Sequence, residues 1–123
     1  MKDRKETILD DMRKTLHEQR SAQEALYTAK KKRVVLEHSA NAKKAHYKVL
    51  VTKVRGIDGR PVYGSDPKIE AKVEECLSED ETYQSILDLI QKVDEEIFTN
   101  KLDYEYLQGE FTVLKVEAAL MAV

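Results

Sequence analysis

From Tyr83 to Met121 the chain repeats apolar positions at alternating steps of three and four. The positions are Tyr83, Ile86, Ile90, Val93, Ile97, Asn100, Tyr104, Leu107, Phe111, Leu114, Ala118 and Met121, and Asn100 is the one polar member. Such steps place all of them on one face of a helix. The repeat averages 3.5 residues over more than five heptads, the coiled-coil period. No proline interrupts it, and its one glycine, Gly109, lies off the stripe. A helix of this reach is ~58 Å long at ~1.5 Å per residue, well beyond the usual three or four turns. A rod cannot bury such a stripe against itself, so the pattern demands a second helix of similar length.

The first half offers one. From Asp3 to Val54 there is no Pro or Gly, and Lys, Glu, Ala, Leu, Arg and Gln dominate, all good helix formers. The same walk runs Ile8, Met12, Thr15, Gln19, Ala22, Leu26, Ala29, Arg33, Leu36, Ala40, Lys43, Tyr47, Leu50, Val54. It is less apolar than the C-terminal stripe. Leu9, Met12 and Leu16 offer a slightly different phase for the first turns. The predicted helix spans 3–54, with a short strand over Val49–Val54 as the alternative because that run is β-branched.

The punctuation lies at 56–65, GIDGRPVYGS, which holds three of the four glycines and one of the two prolines. Asp58-Gly59 is a tight-turn dipeptide, with room at the tip for a very small β-hairpin. Pro67 suits the first turn of a following helix. Ser78 to Glu81 has the spacing of a capping box, and the C-terminal stripe extended backwards falls on Glu79 or Asp80. The prediction is a short helix over 66–77, a break near 78 and a long helix over 79–121. A short connector makes the two arms antiparallel. The expected fold is all-α, a single helical-hairpin domain over 1–123.

A hairpin buries one seam and leaves Leu87, Phe98, Leu102, Val113, Val116 and Leu120 as a second apolar strip. A face that wide packs in a bundle. The expectation is a homodimer forming a four-helix bundle or coiled coil, with a heteromer as the alternative. The expected interface comprises the stripe from Tyr83 to Leu114 together with Phe98, Leu102 and Val113. Asn100 either fixes register, as buried Asn does in coiled coils, or is a solvated residue at the seam edge.

Composition adds little to fold but something to setting. One cysteine, Cys76, excludes an internal disulfide and suits a reducing compartment. The charged N-terminus is no signal peptide, and no run approaches the ~18 apolar residues of a membrane span. A cytoplasmic protein with no membrane partner is expected. The net charge of −2 conceals a segregation. Residues 27–55 carry nine basic side chains against Glu37 alone, and residues 66–123 carry fifteen acids against five lysines.

The basic segment is the candidate for phosphate contacts, through Arg33, Lys43, Lys44, Lys48 and Arg55. Of these, Arg33, Lys44, Lys48 and Arg55 share one helical face. The competing reading pairs this segment with the acidic helix of the hairpin. His17, His38 and His46 lack metal-ligand spacing, and no base is identifiable beside Cys76. The acidic triplets Glu79–Glu81 and Asp94–Glu96 diverge around a helix. With no catalytic constellation and no phosphate loop, the expectation is a non-enzymatic chain without cofactor or metal.

The segment DPKIEAKVEECLSEDETYQSILDLIQKVDEEIFTNKLDYEYLQGEFTVLKVEAAL, behind a basic first helix and a Gly-containing turn, resembles small two-helix proteins of bacteriophages and prophages. Many of those are encoded near replication or recombination genes. The resemblance implies an accessory to replication or recombination, or an inhibitor of a host factor, and carries over no site residues. The layout is also similar to prefoldin subunits, although the connector is too short for prefoldin's assembling β-hairpins. The leading expectation is a protein–protein interaction module; the alternative is a nucleic-acid-binding accessory using residues 30–55.

Overall fold

The computed structural model describes residues 3–122. They form three helices, α1 (Arg4–Thr52), α2 (Asp66–Glu79) and α3 (Glu81–Met121). No strand occurs among the described residues; an isolated bridge joins Arg55 to Pro61. The chain divides into two compact units. The first combines the described residues of Met1–Lys31 with those of Asp94–Val123, and the second is Lys32–Val93. Both α1 and α3 contribute to each unit.

In the first unit, Asp3 starts α1. Its carboxylate accepts the Glu6 N–H at 2.8 Å, and its carbonyl accepts the Thr7 hydroxyl. This satisfies donors that a helix start leaves open. The Arg4 guanidinium lies 3.9 Å from the Glu117 carboxylate, so the beginning of α1 sits beside the end of α3 and the pair is antiparallel. Ile8, Thr15 and Ala29 are buried, and Met12, Gln19, Ala22 and Leu26 are half-buried. The inward face therefore follows Ile8–Met12–Thr15; Leu9 and Leu16, the alternative phase, stand open at 41% and 39%. Opposite, Ile97, Asn100, Tyr104, Leu107, Phe111, Leu114 and Ala118 are all half-buried. Met121, the last expected stripe position, is exposed.

The second unit holds the better core. Ala40, Val51, Val73, Leu77 and Tyr83 are buried together, with Tyr47, Tyr63, Ile69, Cys76, Ile86 and Ile90 packed on them. Here two positions of the predicted α1 stripe are corrected. Leu50 is exposed and Val51 is buried, because the face steps by four from Tyr47 and so keeps the natural helical pitch. Val54 is exposed because the helix has ended at Thr52. Val49–Val54 proves helical through Thr52, then opens: the Val54 carbonyl accepts the Val62 N–H at 3.1 Å.

The connector closes tightly. The Gly59 N–H donates to the Gly56 carbonyl at 3.0 Å, and the Gly56 N–H to the Arg60 carbonyl at 2.8 Å. Gly59 has φ +78°, the left-handed conformation that ends this type of three-residue hairpin loop. The Asp58 carboxylate accepts the Arg60 N–H. Ile57 is left fully exposed at the tip.

Candidate interaction surface

Two features of the chain have the form of functional candidates: the junction between α2 and α3, and the outer face of α3 in the first unit.

At the junction the break falls at Asp80, two residues beyond the predicted position. The Ser78 hydroxyl does not cap α3; it donates to the Glu75 carbonyl at 2.7 Å, and α2 continues to Glu79. Asp80 instead links the two helices. One carboxylate oxygen accepts the Tyr83 N–H at 2.9 Å, the N-cap of α3. The other accepts the Tyr47 hydroxyl and the Lys43 ammonium, the latter at 2.9 Å. Gln84 reaches back to the Leu77 carbonyl. The Asp80 side chain is 8% exposed. The Tyr47 hydrogen bond, the Tyr83 N–H and Lys43 together hold this carboxyl far below the usual carboxylate range. The same contact, with desolvation, pushes the Tyr47 phenol up. A carboxylate so fully engaged is a structural clasp.

Beside it, Lys44, Lys48, Ile69, Glu70, Val73, Glu74, Leu77 and Tyr83 help line an open groove of about 550 Å³. The groove thus carries lysines from α1 and glutamates from α2.

The five basic residues read as phosphate contacts are dispersed among different tasks. Arg33 pairs with Glu37 at 3.0 Å. Lys43 is held by Asp80. Lys44 and Lys48 border the groove. The Arg55 guanidinium folds onto the Thr52 carbonyl at 2.6 Å, at the end of α1, where a cation suits the helix terminus. Cys76 is a free, half-buried thiol against the core. The three histidines are exposed, and His46 sits edge-on to the Tyr47 ring.

No known family, characterised protein or solved structure matches this chain. Its own surface is therefore the guide.

On that surface, the expected interface residues separate into two sets. In the second unit Tyr83 and Val93 are buried, and Ile86 and Ile90 half-buried. In the first unit no described residue of α3 is buried at all; the seam from Ile97 to Leu114 is only half covered by α1. Outside it stand Phe98 (64% exposed), Leu102 (50%) and Val113 (58%), with Val116, Leu120 and Tyr106. Leu87 is exposed in the second unit. Isolated exposed apolar residues are ordinary, whereas a contiguous strip marks an interaction surface. Among the described residues no helix is long and apolar enough to cross a membrane.

Proposed function

We propose that this chain is a non-enzymatic protein–protein interaction module that works as a homodimer, its helices packing into a bundle. The observation that carries the reading is the condition of α3 in the first unit, with a half-covered seam and an outer strip from Phe98 to Leu120. Burial of apolar area is worth ~25 cal/mol per Å², so covering both faces gives a strong drive to associate. In the setting that its layout suggests, the module is an accessory to phage replication or recombination, or an inhibitor of a host factor.

Phosphate binding by the basic segment is the competing reading. It is weakened because Lys43, Arg33 and Arg55 are engaged within the chain. Two experiments separate the readings. Analytical ultracentrifugation should give a dimer, and a stable monomer that captures no partner counts strongly against the module. Titration with DNA at rising salt should show no binding. A steep salt-dependent affinity, lost when Lys44 and Lys48 are changed to Glu, would favour the phosphate reading.

A further inference from the structure

Gly109 is the residue of α3 that its own fold does not explain. It sits in the middle of a helix, where Gly costs ~1 kcal/mol relative to Ala. It has no positive φ, and a Cβ added there would meet nothing within 4 Å among the described residues. Nothing inside the protomer needs the missing side chain. Its place on the surface is informative. Phe98 lies eleven residues before it and Leu120 eleven after; Leu102 lies seven before and Val116 seven after. Eleven residues make three turns and seven make two, so these positions lie in one line with Gly109 at the centre.

We propose that a second copy of this chain docks on this strip, with the two α3 helices antiparallel and crossing at Gly109 on a two-fold axis. The inference rests on the interaction-module reading and adds the orientation, the crossing point and the residue pairing. A two-fold contact requires a self-complementary patch, and the mirror spacing supplies one. Phe98 meets Leu120 of the other copy, Leu102 meets Val116, and Tyr106 meets Val113. Gly109 faces itself, which lets the two backbones approach. The six apolar side chains are half or more exposed. A standard interface covers ~800 Å² per partner, with an apolar centre and a polar rim, and this strip supplies the apolar centre.

Disulfide trapping in the full-length chain carrying Cys76→Ser tests this, because a disulfide needs Cα atoms within ~7 Å. Gly109→Cys should cross-link to itself under mild oxidation. An equal mixture of Phe98→Cys and Leu120→Cys chains should give the mixed dimer at least tenfold faster than either chain alone. Gly109→Leu should keep its helicity by circular dichroism and weaken association at least tenfold. A chain that sediments as a dimer but does not link at 109, or links faster at 98 with itself, overturns this surface or orientation and leaves the module reading standing. A chain that sediments as a monomer at every concentration overturns both.

Discussion

The Tyr47 hydroxyl donates a hydrogen bond to the Asp80 carboxylate, joining α1 to the single-residue break between α2 and α3. Because the other oxygen of Asp80 caps α3 through the Tyr83 N–H, one side chain both ends the break and ties it to α1. Asp80→Ala should therefore remove the cap and leave Tyr47 and Lys43 without their acceptor. Thermal unfolding should show a drop of several degrees in Tm. Tyr47→Phe should cost less, because Lys43 and Tyr83 still hold the carboxylate. A loss from Tyr47→Phe as large as that from Asp80→Ala would show that the Tyr47 hydroxyl alone carries the clasp, because Phe keeps the ring.

The same carboxylate sets a pH dependence. Its folded-state value is lowered, so its contribution is fully present above the unfolded value of ~3.9 and is lost as pH falls below it toward the folded value. Tyr47 has the opposite sign: its raised value makes its contribution complete below ~10 and lost as pH rises beyond. Urea midpoints from pH 2 to 6 should fall steadily below about pH 4. In Asp80→Asn that acid limb should be flatter. An unchanged limb would assign the acid sensitivity to other carboxylates.

Core and strip should respond differently to truncation. Leu77 is 6% exposed within the cluster of the second unit, and Leu77→Ala should cost about 2–5 kcal/mol. Leu102 is 50% exposed. Measured at dilution, where association is absent, Leu102→Ala should change stability by less than about 1 kcal/mol. At high concentration it should lower the dimer fraction. Chemical denaturation at two protein concentrations reads both effects.

The turn gives a backbone test. Gly59 has φ +78°, whereas Gly64 has no positive φ and open space around it. Gly59→Val should destabilise by about 1–2 kcal/mol through left-handed strain. Gly64→Ala should be nearly neutral in the same urea titration. Equal effects at both sites would mean that the turn relaxes to another conformation.

Much of this arrangement was legible along the chain because a long helix repeats one rule many times. Every position of the three–four walk from Ile8 to Tyr47 in α1, and from Tyr83 to Ala118 in α3, is buried or half-buried. The errors fall where a tertiary contact decides, or where two apolar neighbours compete for one inward position. Ser78 has the spacing of a cap, but Asp80 prevails because Tyr47 and Lys43, more than thirty residues earlier, supply donors that only the folded chain brings near. Leu50 and Val51 are both apolar, so composition could not choose which turns inward. Gly109 was visible as a glycine in a helix, yet its place in the outer strip gains meaning only once that strip is seen to be open.

The most direct test of the account is sedimentation equilibrium of the full-length chain over a wide concentration range. The half-covered seam and open strip of α3 predict a reversible dimer, with a mass twice the 14.2 kDa of one chain. A mass that stays at 14.2 kDa up to millimolar protein would contradict it.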